Sequence, residues 1–223
     1  MENKTVAIIQ SNYIPWKGYF DLIKQSDVLI IYDEVQYTKN DWRNRNMIKT
    51  PNGKQWLTIP VKQNSLDQKI HETVIADTSW SKKHMNALQI NYSKTPFFKT
   101  YKELFFELYT HSSEYLSEIN LSFIKAICGI LEINTQIIDS RELNLDGDKN
   151  MKLVNACLKL NATNYLSGPA AKSYLDIELF NQNNIKVDWM DYSKYNEYPQ
   201  LHPPFAHDVS VLDMVFNTGK WTI

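Results

Sequence analysis

Two short apolar runs open the chain, and a helical pattern separates them. Residues 5–10 (TVAIIQ) and 27–33 (DVLIIYD) are rich in β-branched side chains and do not alternate between apolar and polar positions. This pattern is typical of strands that are covered on both faces of a parallel sheet. The GYFDLIKQS segment between them has the spacing of a short helix, so the sequence predicts a βαβ unit at the N-terminus.

Strand-like runs continue at residues 56–61 (WLTIPV) and 69–75 (KIHETVI). Asn52 and Gly53 precede the first of these runs, and this pair is a common turn signal at the tip of a hairpin. We therefore expect two further strands in this part of the chain.

From Ser79 to about residue 131 the apolar spacing is helical and predicts three helices. Ser79 is the expected cap of the first helix, and Pro96 is expected in the first turn of the second. Ser112 or Ser113 is expected to open the third. This segment, at about 79–132, is predicted to form a helical lobe that is inserted in or packed against the rest of the protein.

Strands and helices alternate again in the last part of the chain. Residues 135–140, 164–168 and 185–192 predict strands, and helices are predicted between them at 146–160 and 175–183. A last short helix over VSVLDMVFN should end at Gly219. Strands that alternate with helices indicate an α/β protein, and we expect one α/β domain over residues 1–223 with a mostly parallel sheet and a packed helical lobe.

Composition narrows the possible partners. The 223 residues carry a net charge of −1, so no overall field attracts nucleic acid or an anionic membrane. No stretch approaches the roughly 18 apolar residues of a membrane span, and the N-terminus lacks the apolar core of a signal peptide. We expect a cytoplasmic protein with no stable nucleic-acid partner and no membrane partner. Cys128 and Cys157 lie in apolar helical contexts and are interpreted as buried thiols, and no Cys/His spacing predicts a metal site.

Polar clusters follow three of the predicted strands, at the end of a sheet where ligands of open α/β proteins bind. The first cluster is QSNYIPWKGYF, in which amides and a phenol precede two exposed-looking aromatics and a glycine. The glycine would let the backbone approach a ligand, and the rings would stack on it. The alternative is an ordinary turn whose aromatics fill the core. The candidate contacts are Gln10, Asn12, Tyr13, Trp16, Gly18 and Tyr19.

The second cluster is YDEVQYTKNDWRNRNMIK (residues 32–49), where a carboxylate at a strand end precedes an indole, two guanidiniums and two amides. Arginine forks suit phosphate or carboxylate, and amides can recognise hydroxyls or a base edge. The alternative is a structural network that holds a long loop. The candidates are Asp33, Gln36, Trp42, Arg43, Asn44, Arg45 and Asn46.

The third cluster is NYLSGPAAKSYLD, with YPQLHPPFAHDVSVLD further along the chain. Ser167 and Gly168 follow a strand and leave backbone N–H groups open to an oxyanion or phosphate. His207 lies three residues before Ser210, a candidate helix cap, so a capping role for this group is as plausible as a catalytic one. Neither a nucleophile elbow, a P-loop, a GxGxxG motif nor an HExxH motif is present, which disfavours the common types of nucleotide-cofactor enzyme.

Five segments of this chain resemble the WbqC-like protein family, in the same order and over nearly the whole length. They are IIQSNYIPWKGYFDLI, DEVQYTKNDWRNRNMIK, WLTIPV, YLSGPAAKSYL and YPQLHPPFAHDVSVLDMVFN. The resemblance implies a product of a bacterial O-antigen or capsule gene cluster. It also implies a transferase of glycyl or aminoacyl type that acts on an amino sugar.

A fainter resemblance is to the nucleotidyltransferase-like fold, which implies a Rossmann-like core. A strand, a proline-containing turn and a helix that begins near Gly18 are similar to its opening. Residues 15–19 occupy the place of its HxGH motif without either histidine, and the YLSG turn would take the place of its later phosphate-binding turn. The missing histidines disfavour adenylyl transfer, but a nucleotide-like ligand remains compatible with the pocket.

We therefore expect a transferase that acylates the amine of a nucleotide-linked amino sugar. The diphosphate would be bound by Arg43, Arg45 and the Ser167–Gly168 turn, and a ring would stack on Trp16, Tyr19 or Trp42. The base would be Asp33 or His207, and Asn12 and Asn44 would hold the oxyanion.

The expected partners are the sugar nucleotide and an acyl donor. The donor, any cofactor and the oligomeric state stay open. The alternatives are an ATP-dependent enzyme that activates an acid, in which Lys17, Lys172 or the two arginines would neutralise phosphate charge, and a non-catalytic scaffold that binds the sugar nucleotide.

Overall fold

The computed structural model describes residues 3–110 and 113–222, so the predicted helix start at Ser112 lies outside the described residues. The chain divides into two compact units, each described here by itself. Unit 1 comprises Met1–Gln10, Gly18–Glu34 and Ile133–Lys194, and unit 2 comprises Ser11–Lys17, Val35–Glu132 and Tyr195–Ile223. The expectation of one domain over residues 1–223 stays a prediction.

The elements of the described chain are, in order, β1 (Thr5–Ile9), α1 (Lys17–Lys24), β2 (Val28–Ile31), β3 (Arg45–Thr50), β4 (Gly53–Thr58), β5 (Val61–Lys62), β6 (Val74–Ile75), α2 (Ser79–Tyr92), α3 (Phe98–Thr110), α4 (Leu116–Ile130), β7 (Gln136–Asp139), α5 (Lys149–Lys159), β8 (Asn164–Ser167), α6 (Ile177–Gln182), β9 (Lys186–Trp189) and α7 (Val211–Thr218). Short 3-10 helices lie at Ile70–Glu72, Ser140–Leu143 and Pro169–Ser173. The predicted helices at both ends of the chain and the helical segment at about 79–132 are confirmed.

Unit 1 is built on a five-stranded parallel sheet with the order β7-β2-β1-β8-β9. Its core contains Val6, Ile30, Val154, Tyr165 and Phe180, all of them buried. Asp148 and Asp176 cap α5 and α6, since each carboxylate accepts a hydrogen bond from a backbone N–H in the first turn. The predicted α/β class with a parallel, Rossmann-like sheet is confirmed.

Unit 2 contains a hairpin that the strand prediction only half found. β3 and β4 pair in antiparallel fashion, and Thr50 lies opposite Gly53 at the tip. Gly53 has a φ of 101°, a conformation that glycine adopts without steric cost, so the predicted Asn52–Gly53 turn is confirmed. The sequence analysis predicted no strand over the WRNRN segment, yet β3 begins at Arg45.

The predicted strand over residues 69–75 was also wrong in its first half. A 3-10 helix occupies Ile70–Glu72, and only Val74–Ile75 pair with another strand. The reason is local, because the Glu72 carboxylate accepts a hydrogen bond from the Lys69 backbone N–H at 3.0 Å and Thr73 binds the Lys69 carbonyl. These side chains satisfy backbone groups that a strand would otherwise pair.

The helix starts in unit 2 differ in detail from the predictions. Ser79 is the first residue of α2 rather than its cap, and its backbone N–H donates to the Asp77 carboxylate at 2.9 Å. Pro96 lies two residues before α3 begins, and α4 begins at Leu116 rather than at Ser113. The three helices themselves are present as expected.

Buried thiols are confirmed at Cys128 and Cys157, where burial raises the pKa of each to about 12. Among residues 3–110 and 113–222, no helix is long and apolar enough to cross a membrane. Over the same residues, His, Cys, Asp and Glu side chains form no group of three or more that could hold a metal ion.

Candidate functional site

In the sheet of unit 1, the direction in which successive strands are added reverses between β1 and β8. From β1 the chain continues to the neighbouring strand β2, whereas from β8 it continues to β9 on the other side. In open α/β sheets this point, at the carboxyl ends of the strands, is where ligands bind. Three of the predicted contacts lie at these strand ends: Gln10 follows β1, Ser167 is the last residue of β8, and Gly168 follows β8.

Tyr19 has a structural role at this edge of the sheet, and its ring is not available to stack on a ligand. Its side chain is 3% exposed, and its hydroxyl donates to the Gln10 backbone carbonyl at 3.1 Å. The bond ties the first turn of α1, in which Gly18 is also buried, to the end of β1. A ring that is buried on this scale cannot stack on a ligand, so the expected stacking role of Tyr19 is replaced by a structural one.

A residue that the sequence did not indicate, Tyr192, faces Gly168. The Tyr192 hydroxyl lies 3.5 Å from the position that a Cβ on Gly168 would take. Burial and, to a smaller extent, the nearby charge of Asp21 raise the pKa of Tyr192 to about 12, so the phenol stays protonated at neutral pH. Ser167 is itself 7% exposed. The turn after β8 therefore has a neutral phenol beside it.

Asp33 lies in an acidic cluster at the carboxyl ends of β2 and β7. Arg141 binds the Asp139 carboxylate through Nε and Nη2, and Glu34 accepts a hydrogen bond from Ser140 at 2.7 Å. The bond to Asp139 raises the pKa of Arg141, and the charges of Asp33 and Glu34 add to this effect. Asp33 is only 2% exposed, which limits its reach toward a substrate amine.

In unit 2, backbone hydrogen bonds join three segments that are far apart in sequence. The Tyr13 N–H donates to the Trp42 carbonyl at 3.0 Å, the Ser210 N–H to Met47 at 2.8 Å, and the Val211 N–H to Pro15 at 2.9 Å. Residues 11–17, 42–47 and 207–211 thus come together, and they carry eight of the predicted contacts. These are Asn12, Tyr13, Trp16, Trp42, Arg43, Asn44, Arg45 and Asn46, with His207 beside them.

Asn12 and Arg43 form the closest polar contact in this three-segment cluster. Arg43 Nη1 donates to Asn12 Oδ1 at 2.6 Å, and Arg43 Nη2 lies 3.6 Å from the Asp41 carboxylate. Because a guanidinium can only donate, the amide atom that faces it must be the oxygen. The Asn12 Nδ2 group therefore points away from Arg43 as a fixed donor, which is the property expected of a group that binds an oxyanion.

Asn46 has a structural role instead of the predicted contact with a ligand. It is 2% exposed, its Nδ2 donates to the carbonyls of Tyr13 and Ile14, and its Oδ1 accepts from Met47. Ile14 has a φ of 37°, which is rare and strained for a β-branched residue. The Asn46 amide thus holds a strained turn in place and has no group left for a ligand.

Asn44 and Gln36 are also engaged by the backbone. Asn44 Nδ2 donates to the Ile59 carbonyl at 2.8 Å, although its Oδ1 is buried without a partner among the described residues. The Gln36 amide donates to the Leu66 carbonyl in a short hydrogen bond. The predicted contacts of both side chains with a ligand are therefore replaced by contacts within unit 2.

Tyr13 belongs to a buried aromatic core. Its side chain is fully buried, and its hydroxyl contacts His84 Nδ1 at 2.8 Å and the Tyr109 hydroxyl at 2.7 Å. Trp80 packs edge-on against the Tyr13 ring at 6.0 Å. A residue enclosed in this way cannot bind a substrate, so its expected role in binding is replaced by one in packing.

This core predicts an acid-sensitive fold. Burial lowers the pKa of His84 to about 4, whereas an unfolded histidine has a pKa near 6.5. Between these values the unfolded chain binds a proton that the folded chain does not, so stability is lost as the pH falls from about 6.5 to 4. We expect a loss of about 3 kcal/mol in the free energy of unfolding over that interval, measured by urea titration at each pH.

His84→Asn keeps a short polar group beside Tyr13 and should flatten this pH dependence. His71→Asn removes a partly exposed histidine of the same unit and serves as the control, which should keep the slope of the unmodified protein. An equal slope in the protein and in His84→Asn would show that other groups cause the acid sensitivity.

Trp42, a predicted stacking residue, has an exposed ring. It is 41% exposed and packs against Trp56, itself 43% exposed, at a centroid distance of 5.5 Å. The Arg45 guanidinium carbon lies 4.3 Å from the centroid of the Trp56 ring. The predicted arginine therefore stacks on an indole that the sequence analysis did not single out.

Lys17 lies in an aromatic box, a group of three rings from the C-terminal segment of unit 2. Its side chain is 2% exposed, and its ammonium lies 5.0, 5.3 and 5.6 Å from the ring centroids of Tyr195, Tyr198 and Phe205. Lys17 Nζ also donates to the Asn196 carbonyl at 3.1 Å. Burial lowers the pKa of Lys17, although the charge of Glu197 opposes the change.

His207 is exposed next to this box, and its ring packs edge-on against Phe205 at 4.6 Å. Burial lowers the pKa of His207 and the charge of Lys17 lowers it further, while Glu197 and Asp208 act in the opposite direction. The imidazole is therefore mainly neutral at pH 7 and accessible to a proton donor. Trp16 lies on the same side, with its ring 5.9 Å from that of Tyr195.

The expected helix cap is Ser210, whose hydroxyl accepts from the Leu212 N–H at 3.3 Å. The capping role is thus filled by Ser210, and His207 is left to other functions.

The three segments that meet in unit 2 are parts of the segments that carried the family resemblance. The model of the WbqC-like protein family matches residues 10–223. The chain belongs to the WbqC-like protein family. This WbqC-like protein is 46% identical over 218 residues to "Uncharacterized protein Rv1507c" of Mycobacterium tuberculosis, and the match covers 97% of this chain and 94% of the relative. No solved structure matches this WbqC-like protein significantly.

Proposed function

We propose that this protein transfers an acyl group of glycyl or aminoacyl type to the amine of a nucleotide-linked amino sugar, in the biosynthesis of a bacterial surface polysaccharide. The observation that carries the proposal is the three-segment cluster of unit 2. It contains a fixed amide donor at Asn12, a guanidinium at Arg43 and an accessible neutral imidazole at His207. Membership in the WbqC-like family supports the same reaction class.

Acyl transfer to an amine makes three demands on these groups. The sugar ammonium must lose a proton before it can attack, and His207 is the base that accepts it. The attack forms a C–N bond and a tetrahedral oxyanion, to which Asn12 Nδ2 donates a hydrogen bond. The oxyanion then collapses, the bond to the donor's leaving group breaks, and the imidazolium returns a proton to that group, while the nitrogen of the new amide releases its remaining extra proton to solvent.

Binding of the sugar nucleotide is assigned to the charged and aromatic groups of unit 2. Arg43 and Arg45 are the expected contacts for phosphate oxygens, and Trp42 offers an exposed ring for the base or sugar. Trp16 is the second candidate ring.

A second candidate function is the activation of a carboxylic acid by ATP. It is favoured by the strand order of unit 1, which puts Gln10 and the Ser167–Gly168 turn at the change of direction of a parallel sheet. A nucleotide at this edge would lie near Tyr192, a neutral hydrogen-bond donor. The two functions predict different ligands and different reactions.

The test combines binding with turnover. A ligand at 100 times its dissociation constant should stabilise the protein by about 2.7 kcal/mol, which is visible as a rise in melting temperature. We expect this rise with UDP- or dTDP-linked amino sugars, and mass spectrometry should show an amino sugar heavier by one aminoacyl residue when the acyl donor is added.

Other outcomes of the same assay are equally informative. A rise with ATP alone, with amino-acid-dependent pyrophosphate exchange, would replace the proposal with acid activation. Binding of the sugar nucleotide without turnover, over acyl-CoA, aminoacyl-tRNA and ATP plus amino acid as donors, would contradict the proposal and favour a scaffold.

A further inference from the structure

Two exposed tryptophans lie side by side on the β3–β4 hairpin of unit 2. Trp56 pairs with Met47 across the hairpin, so its side chain lies on the same face as that of Arg45, two residues earlier in β3. The Trp42 ring lies 5.5 Å from that of Trp56 at an angle of 39°, and both residues stay exposed. Single exposed apolar residues are common, whereas adjacent exposed rings mark binding surfaces. We call these two rings the indole pair.

The backbone holds both members of the indole pair in place. Trp56 lies inside β4, which pairs with β3 along its whole length. The Trp42 N–H donates to the Asp41 carboxylate at 2.7 Å, and the Trp42 carbonyl accepts from the Tyr13 N–H at 3.0 Å. A ligand that stacks on these rings does not have to order the backbone beneath them, which lowers the cost of binding.

The cation beside the indole pair has no carboxylate partner. The Arg45 guanidinium carbon lies 4.3 Å from the centroid of the Trp56 ring, and Arg45 forms no ion pair within residues 3–110 and 113–222. The Asp41 carboxylate is already engaged by the Trp42 N–H and by Arg43.

The terminal nitrogens of Arg45 are open to a ligand. Its Nε is buried, but its two Nη atoms are not among the buried polar atoms of the described residues, and they form no hydrogen bond there. A guanidinium donates hydrogen bonds in its own plane, so it can contact the Trp56 ring through its face and bind an anion through its edge. The indole pair therefore lies next to a positive charge that a ligand can compensate.

We propose that the indole pair and Arg45 bind a nucleoside diphosphate, with the base stacked on Trp56 and Trp42 and a phosphate oxygen bound by Arg45. The inference rests on the proposed function, since this ligand is the nucleotide half of the proposed substrate. It adds Trp56 to the site and assigns the base, rather than the sugar, to the indole pair.

Charge decides between the base and the sugar. A nucleoside diphosphate offers a planar ring to the indoles and negative oxygens to Arg45, so it satisfies both features of this surface. The ammonium of an amino sugar would be repelled by Arg45, and a neutral sugar would leave its charge uncompensated. The sugar is therefore assigned to another part of the three-segment cluster.

The test is isothermal titration of the full chain with UDP and dTDP, two probes that carry a base and a diphosphate but no amino sugar. Trp56→Ala removes the stacking surface and keeps Arg45, so we expect it to raise the dissociation constant of UDP about 10-fold. Trp56→Phe keeps an aromatic ring and should retain most of the affinity. Arg45→Gln removes the charge and should also raise the dissociation constant about 10-fold.

The matched control is Tyr174→Ala, which removes an exposed ring from unit 1 and should leave the affinity unchanged. Three results would overturn the inference. The first is the absence of saturable binding of both probes up to about 10 mM. The second is an equal loss of affinity in Tyr174→Ala and Trp56→Ala. The third is self-association of the protein that Trp56→Ala abolishes, which would show that a second copy of the chain covers the indole pair.

The inference and the proposed function fail separately. Turnover of a UDP-linked amino sugar with the same KM in Trp56→Ala as in the unmodified protein would overturn the inference alone. Binding of UDP with the expected losses in the variants, but without turnover with any acyl donor, would support the inference and contradict acyl transfer.

Discussion

We expect His207→Gln to lower kcat for the proposed acyl transfer by about 10²- to 10⁴-fold, with little change in KM for the proposed amino-sugar substrate. The imidazole is exposed and mainly neutral at pH 7, because burial and the charge of Lys17 lower its pKa. Glutamine keeps the size and polarity of the side chain but cannot accept the proton of the attacking amine. Rates measured with saturating acyl donor would show the effect.

The pH dependence follows from the direction of the shift. Only the neutral imidazole accepts a proton, so kcat/KM should rise with pH and reach half of its plateau below the ordinary histidine value of about 6.5. Lys17→Met removes a positive charge from the aromatic box and keeps an unbranched side chain there. This variant should move the midpoint of the profile to higher pH.

The control is His202→Gln, which changes another histidine of the same segment. His202 Nε2 contacts the Asn91 carbonyl at 3.2 Å, so the variant disturbs a structural contact but no proton acceptor of the reaction. A wild-type rate in His207→Gln together with lost activity in Asp33→Asn would transfer the role of base to Asp33. We expect Asp33→Asn to retain turnover within about 10-fold, because Asp33 is 2% exposed.

The sheet of unit 1 could be predicted from sequence because its signals are local. β1 and β2 are short apolar runs rich in β-branched residues, and α5 is marked by Asp148 at its cap. β3 gave no such signal, since Asn46 and Lys49 occupy buried positions that a strand pattern would fill with apolar residues. Polar side chains can occupy these buried positions because both are hydrogen-bonded. Asn46 donates to a backbone carbonyl of the turn at residues 13–14, and Lys49 donates to the Pro204 carbonyl. Only the Asn52–Gly53 turn indicated that a strand had to precede it.

The segments that form the candidate site could be predicted from the sequence, but the role of each residue within them could not. Asn12 and Tyr13 are adjacent and both carry hydrogen-bonding groups, yet Asn12 contacts Arg43 while Tyr13 is enclosed by α2 and α3. Lys17 was expected only as a possible phosphate contact, because its box is supplied by residues about 180 positions away. Partners at such distances are set by packing, which residue spacing does not encode.

The largest effect on stability is expected from Asp213→Leu, which should lower the free energy of unfolding by about 3–5 kcal/mol. Asp213 is 1% exposed in α7, and its carboxylate accepts from the hydroxyls of Tyr92 and Tyr198 at 3.0 and 2.8 Å and from Gln200 Nε2 at 2.9 Å. Leucine keeps the branching at Cγ but leaves all three buried donors without an acceptor. Urea unfolding at pH 7 measures the loss.

Asp213→Asn separates the hydrogen bonds from the charge. Burial raises the pKa of Asp213 even though its three donors favour the ionised form, so the charge itself is costly in this position. Asparagine avoids that cost and keeps one acceptor oxygen, and we expect a loss of about 1–2 kcal/mol. Losses of equal size in the two variants would show that the hydrogen bonds are not what stabilises this region.

The consequence of Asp213→Leu should extend to the candidate site. Tyr198, one of the donors to Asp213, is also one of the three rings around Lys17, and Gln200 binds both the N–H and the carbonyl of Ala206 next to His207. At urea concentrations at which Asp213→Leu is still folded, the midpoint of its pH profile of kcat/KM should therefore move up toward the ordinary histidine value. Asp213→Asn should keep the low midpoint. An unchanged profile in a folded Asp213→Leu protein would show that the aromatic box is held in place without Asp213.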